Sequence, residues 1–352
     1  MSFNTKKLTF DPNGIGDPDG NIYGLPFDTD EAHLVIVPVP WEVTVSYRAG
    51  TALAPEAVLK ASYQVDLYDP FVKDAWKLGV AMNEINPGIQ ERNNELRLKA
   101  EKYINDLEQG KNPSENSAMK EILDEINLAC LELNFWIKNE SLKLLNGKKL
   151  VAILGGDHST PLGLMQALAE KNNSFGILHI DAHADLRNSY EGFEYSHASI
   201  MFNALMIPQI SRLVQVGIRD YCEAELKLMK SDKRITTFFD RELKNQQYNG
   251  VNWTTLCDQI IEKLPQKVYL SFDIDGLDPK LCPNTGTPVP GGLELEQAVY
   301  LVEKLVHSGR VIIGFDLNEV APDPAGANEW DGNVGARLLY KLCGWTVLAN
   351  PT

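Results

Sequence analysis

Phe175-Gly176-Ile177-Leu178-His179-Ile180-Asp181-Ala182-His183-Ala184-Asp185 is an apolar run that ends in three potential metal ligands. In an extended chain, side chains alternate, so Asp181, His183 and Asp185 would share one face while Ala182 and Ala184 take the other. The same spacing also suits a polar strand end or a hydrogen-bonded turn, and the rest of the chain has to decide between them.

Outward from this stretch the pattern recurs. Near-continuous apolar runs stand at His33–Pro40, Leu150–Leu154, Leu213–Gly217, Val268–Phe272 and Val311–Phe315. From residue 149 onward they alternate with helical stretches, the signature of βαβ units and a parallel sheet buried on both faces. A loop after the first run leads into a helix from Ala54 to Ser62, with Pro55 in its first turn. Two polar helices are expected at Glu91–Leu107 and Met119–Leu145, the second carrying Ile122, Ile126, Ala129, Leu133 and Ile137 at spacings of three or four. The Gly/Pro/Asp-rich residues 1–31 read as an N-terminal arm lying on the surface. Residues 32–352 then form a single domain with a helical insertion around 85–145.

The chain has 352 residues, 44% of them hydrophobic, enough to bury a full core. Its formal charge of -15 repels polyanions, so neither nucleic acid nor an anionic membrane surface is an expected partner; a small cationic molecule is. No apolar segment approaches bilayer length and no signal-like start is present, which predicts a cytoplasmic protein. Five scattered cysteines without a Cys-x-x-Cys pair predict neither disulfides nor a thiolate zinc site.

Parallel sheets build their sites at the carboxyl ends of their strands. Four of the runs end in Gly155-Gly156-Asp157-His158-Ser159, Asp181-Ala182-His183-Ala184-Asp185, Asp273-Ile274-Asp275-Gly276 and Asp316-Leu317-Asn318-Glu319. Six candidate ligands emerge: His158, Asp181, His183, Asp185, Asp273 and Asp275. Four carboxylates and two imidazoles exceed what one tetrahedral ion takes and suit two divalent ions sharing carboxylates. Oxygen-rich, thiolate-free ligation favours Mn2+ over zinc, and the imidazoles leave Ni2+, Co2+ or Fe2+ open. His33, His179 and His307 read as ordinary histidines, His179 as a core residue inside its strand. Asp157 reads as a loop hydrogen-bonding residue, and Gly217-Ile218-Arg219-Asp220 as the tie of a strand end.

Gly-Gly-Asp-His-Ser, Asp-Ala-His-Ala-Asp and Ser-Phe-Asp-Ile-Asp-Gly-Leu-Asp-Pro resemble the three metal motifs of the ureohydrolase family of arginases and agmatinases, in the right order over roughly residues 30 to 345. The resemblance implies a three-layer α/β fold around an eight-stranded parallel sheet flanked by helices. It implies one metal on His158, Asp181, Asp185 and Asp273 and another on Asp181, His183, Asp273 and Asp275, with Asp181 and Asp273 bridging. It further implies that hydroxide attacks the guanidinium carbon of a small cationic substrate and releases urea. Asp185 would pass a proton to the departing amine, and Glu319 would pair with the guanidinium. His197 would relay protons with a near-neutral pKa and contact substrate. The segment from Asp185 to Ser199 looks like agmatinase and lacks the Ser/Thr/Asn-rich loop of arginases, so agmatine, giving putrescine, is the expected substrate. Guanidine and 4-guanidinobutanoate are the alternatives, and a non-catalytic metal-binding scaffold is a remote one. A homo-oligomer, trimer or hexamer, is implied in the same way. The turn-rich Thr285–Gly292 resembles a family loop bordering the metals. The long arm and the helical insertion depart from the common pattern; if the arm closes the mouth of the site, a small guanidino ligand is favoured over agmatine.

Overall fold

The structure, a computed structural model, describes residues 10–350. Eight strands form one sheet: β1 (Leu34–Pro38), β2 (Val80–Met82), β3 (Leu150–Leu154), β4 (Phe175–Ile180), β5 (Ile210–Ile218), β6 (Ile235–Phe239), β7 (Lys267–Asp273) and β8 (Val311–Asn318). Their order is β2-β1-β3-β8-β7-β4-β5-β6, and every neighbouring pair is parallel. The helices are α1 (Ala54–Ser62), α2 (Pro87–Glu108), α3 (Ser117–Asn146), α4 (Leu162–Lys171), α5 (Ile200–Leu205), α6 (Glu223–Ser231), α7 (Asp240–Tyr248), α8 (Trp253–Ile261), α9 (Leu295–His307) and α10 (Trp330–Leu348).

Strand side chains alternate between two cores, which is why the strands read as unbroken apolar runs. Leu34, Ile36, Leu178, Ile180, Leu270 and Phe272 face a core closed by α1, α8, α9 and α10. Val37, Val151, Ile153, Phe175 and Ile177 face a second core closed by α2, α3, α4 and α5. The three-layer expectation holds. Two strands escaped the sequence reading, β2 and β6, and both lie at the sheet edges, where a strand is short or only half-buried and lacks a long apolar run.

The expected surface arm is different in kind. Residues 1–9 lie outside the described residues, but Ile22, Tyr23 and Leu25 are fully buried. Tyr23 donates its hydroxyl to Ala336 O at 2.9 Å and its N–H to Ser62 Oγ at 2.9 Å. Ile22, Tyr23 and Leu25 therefore pin the end of this segment into the first core, whereas Ile15 stands exposed. The two insertion helices appear as an antiparallel pair, started by Asn86 and Asn116, whose side chains accept from the first free N–H groups. Among the described residues no helix is long and apolar enough to cross a membrane.

Candidate metal centre

The four polar motifs end β3, β4, β7 and β8, which are the four central, adjacent strands in the order β3-β8-β7-β4. Adjacency in the sheet, not in sequence, brings them together. Asp181, however, ends the extended chain. Its Oδ1 accepts the N–H of His183 at 2.6 Å, and Asp185 takes a left-handed backbone with φ 54°. The strand is thus not simply continued: His183 forms an isolated parallel bridge with Asp220 and the backbone changes hand at Asp185, yet Asp181, His183 and Asp185, the three candidate ligands, still converge. Glu319 is also left-handed, at φ 63°. A non-glycine residue held there is strained, and such strain persists only where the surroundings over-determine it. Here Glu319 N donates to Gly156 O and its carbonyl accepts from Thr285 Oγ1, both at 2.8 Å.

At the centre, His158 Nδ1 lies 3.0 Å from Asp181 Oδ2, 3.3 Å from Asp185 Oδ2 and 3.3 Å from Asp273 Oδ2. His183 Nδ1 lies 3.0 Å from Asp275 Oδ2 and 3.6 Å from Asp181 Oδ1. Asp275 Oδ1 accepts from Ala182 N, and its own N–H donates to Asp273 Oδ1 at 2.8 Å. All six predicted ligands therefore meet in one cluster with Asp181 at its middle. Glu319 joins it, its Oε1 accepting His158 N at 2.9 Å.

Burial makes this cluster hungry for cations. Desolvation, the Asp275 carboxylate and Asp181 push Asp273 well above the usual carboxylate range. Burial and Asp181 raise Asp185 to about 6. Burial, Asp157 and Asp275 push Glu319 up as well. Asp181 is the exception: burial would raise it, but His179 and His158 outweigh that and hold it well below its ordinary value. His158 and His183 are driven above theirs because Asp181 and its fellow carboxylates overcome the burial that would lower them. Like charges this close cannot all be ionised without a cation among them. One ligand atom each from His158, His179, Asp181 and Asp185 lies within 4.8 Å of the others, and so do atoms of Asp181, His183 and Asp275. Two groups of imidazole and carboxylate sharing Asp181 fit two divalent ions at bonds of about 2.0–2.2 Å.

His179 carries more than the core role expected of it. It is fully buried, and its Nε2 lies 2.7 Å from Asp181 Oδ2. Behind it, Gln215 Nε2 reaches both His179 Nδ1 at 3.1 Å and Ala184 O at 2.8 Å. His158 Nε2 is backed likewise by Ser271 Oγ at 2.9 Å, which donates to Asp316 Oδ1. Sequence reasoning missed this supporting layer; its one signal was that His179, two residues before Asp181 in a strand, points to the same side. Asp157 behaves as read: its Oδ1 accepts from Ser159 N and Oγ, and burial raises it to about 6. Arg219 ties the strand end through Asp275 O, Leu277 O and Val289 O.

Above the cluster opens a cleft of about 370 Å³, lined among others by His183, Asp185, His197, Tyr190, Arg187 and Tyr47. Thr287, Pro288 and Val289 form its rim, so the turn-rich loop does border the site. Neither the described part of the arm nor the insertion helices line it, so nothing among the described residues supports a mouth closed by the arm. His197 stands edge-on to Tyr190, with ring centroids 6.0 Å apart, and its Nδ1 has no hydrogen-bond partner among the described residues. Burial, then His183 and His158, lower its pKa to about 3 rather than leaving it near neutral, so it stands neutral at pH 7.

A match to the Arginase family runs over residues 32–344. The chain belongs to the arginase family. It is 33% identical to an N(1)-aminopropylagmatine ureohydrolase of Thermus thermophilus over 90% of each chain. It is 27% identical to an agmatinase of Bacillus cereus over 83% of this chain and 85% of that one. Its fold matches the crystal structure of an agmatine ureohydrolase of Thermoplasma volcanium with a TM-score of 0.67 over 97% of each chain, at 22% identity. The match over 90% of both chains makes the Thermus protein one of similar length, so this arginase-family chain is not unusually long among its relatives.

Proposed function

We propose that this arginase-family hydrolase releases urea from a guanidino compound with an alkylamine tail, agmatine in the first instance. The observation that carries the reading is Asp181 shared between two imidazole-carboxylate groups on the floor of an open cleft. His158, Asp181, Asp185 and Asp273 would hold one ion, and Asp181, His183, Asp273 and Asp275 the other, with Mn2+ favoured by the oxygen-rich donors and Ni2+ allowed by the imidazoles. When bound, two such ions lower the pKa of a water enough to supply hydroxide near neutral pH.

The residues around them divide the remaining work. Glu319 offers the guanidinium a carboxylate with paired, charge-assisted acceptors. Asp185, strained and at the cleft floor, takes the proton of the attacking hydroxide and delivers it to the nitrogen that leaves as amine. The carbon–nitrogen bond to the tail breaks, and water has been added across it to give urea and the free amine. His197, neutral with its Nδ1 unpartnered among the described residues, would relay a proton from water to the departing amine, which leaves as an ammonium ion.

The open mouth supports a substrate with a tail over bare guanidine. The name of the Thermus relative points to a longer alternative, the aminopropyl extension of agmatine. A cytoplasmic homo-oligomer belongs to the same reading. The test is urea release by protein stripped of metal and reloaded with Mn2+ or Ni2+, on agmatine, N1-aminopropylagmatine, arginine, 4-guanidinobutanoate and guanidine. Agmatine or its extension should lead, and no urea from any pairing sinks the proposal. His197→Ala should slow turnover roughly 100-fold or more with metal content unchanged; an undiminished rate would remove His197 from the chemistry.

A further inference from the structure

The hairpin of α2 and α3 lines none of the cleft, yet its side chains hold the backbone of two loops that do. Tyr190 to Phe193 is a tight turn, closed by Tyr190 N to Phe193 O at 3.1 Å and Phe193 N to Tyr190 O at 2.8 Å, with Glu191 and Gly192 at φ 55° and 89°. Positive φ at both central residues is the twist that suits a two-residue hairpin. Three backbone groups of this turn and its flank are taken by the helical hairpin. Tyr103, 1% exposed, donates its hydroxyl to Glu191 O at 2.9 Å. Asn127 pairs with the backbone as a strand would, donating to Gly192 O at 3.2 Å and accepting from Glu194 N at 2.9 Å. A Cβ on Gly192 would come within 3.0 Å of both the Tyr103 hydroxyl and a methyl of Leu123.

The second grip is on the loop after β1. Arg97 donates to Val43 O at 3.2 Å and to Val45 O at 2.5 Å, and Asn93 Oδ1 accepts Glu42 N at 2.7 Å. That loop carries Ser46, Tyr47 and Arg48 to the cleft; the turn carries Tyr190, which lies under the Arg187 guanidinium at 4.7 Å and beside His197. The hairpin itself is a firm reference, because Leu96, Ala100, Tyr103, Ile126, Cys130 and Ile137 are buried in the second core.

We propose that the α2–α3 hairpin is the positioning element of substrate selection: Arg97 on one loop, and Tyr103 with Asn127 on the other, set the spacing of the cleft walls that meet the substrate's tail. The inference rests on the guanidino-hydrolase reading for its substrate and on the hydrogen-bond geometry for its mechanism. None of the three side chains touches the reacting atoms. Loosening them therefore acts on the tail and leaves the metal floor, built on β3, β4, β7 and β8, unaltered.

The test uses the full chain loaded with Mn2+ and the variants Tyr103→Phe, Asn127→Ala and Arg97→Met. Tyr103→Phe keeps the ring that packs on Phe193 at 5.3 Å, so it retains the fold while losing one bond. Amide exchange in peptides covering 42–50 or 188–196 should quicken about fivefold or more, the worth of one net hydrogen bond, while β4 and β7 exchange as before. KM for agmatine or its aminopropyl extension should rise about fivefold to tenfold with kcat within about twofold and metal content unchanged. Hydrolysis of guanidine, which has no tail, should not move. Unchanged exchange in both loops overturns the proposal, as does faster exchange with every KM unaltered or with guanidine affected equally. If wild-type protein hydrolyses none of these compounds, the functional reading fails and the exchange arm decides the clamp alone: faster loop exchange upholds it, unchanged exchange overturns it.

Discussion

Replacing His179 by leucine should weaken metal binding although His179 need not touch a metal. Gln215 Nε2 is a donor, so the imidazole nitrogen it meets, Nδ1, is the acceptor. The ring proton therefore sits on Nε2 and is donated to Asp181 Oδ2 at 2.7 Å, in a site that water does not reach. A hydrogen bond to a buried carboxylate is worth about 1.5–3 kcal/mol. At about 1.4 kcal/mol per tenfold, its loss corresponds to roughly 10-fold to 100-fold in the affinity of ions held by Asp181. Groups that orient metal ligands from behind show the same range on mutation, about 10-fold to 100-fold. The assay is Mn2+ titration of stripped protein, wild type against His179→Leu, with bound metal counted after dialysis and thermal unfolding of the metal-free forms as a control for folding. Affinity unchanged within about twofold, in a protein that folds, would refute the reasoning and return His179 to the plain core role its sequence position suggested.

Asp181→Asn and Asp273→Asn should each lose both ions, because each is read as a bridge; a variant that retains two ions per chain on elemental analysis contradicts the bridging assignment. Gly156→Ala should destabilise the fold by about 3 kcal/mol or prevent folding, since the added Cβ would fall 1.9 Å from Trp41 O, and an unchanged urea midpoint would show that this backbone approach can relax. Asp69 is buried, and although burial raises its pKa, Lys341 at 2.7 Å and the Phe71 and Val72 N–H groups bring it below the usual carboxylate value. Its contribution is therefore full above the unfolded-state pKa of about 3.9 and fades as pH falls through the lower folded value. Asp69→Asn should thus cost about 1–2 kcal/mol at pH 7 and progressively less below about pH 4, read from denaturation midpoints; a pH-independent difference would contradict the ion pair.

Much of this protein is legible along the chain because a strand buried on both faces has to be apolar throughout, and a polar motif after it has to lie at a strand end. β1, β3, β4, β5, β7 and β8 were visible for that reason, and with them His158, Asp181, His183, Asp185, Asp273, Asp275 and Glu319. β2 and β6 were not, because an edge strand needs no continuous apolar run. The segment from Ile22 to Leu25 passed for a surface arm because its few apolar residues show no period; only their partners, Ser62 and Ala336 far along the chain, make them core. Strand order, which places the ends of β3, β8, β7 and β4 side by side, decides that four motifs spread over some 160 positions form one cluster, and no local pattern contains that order. The same is true of His179 and of the grip of Arg97, Tyr103 and Asn127 on the cleft loops. The residue types that can do chemistry are a property of the sequence, whereas the charge each one carries, and the neighbour that orients it, come from burial and contacts that exist only once the chain has folded.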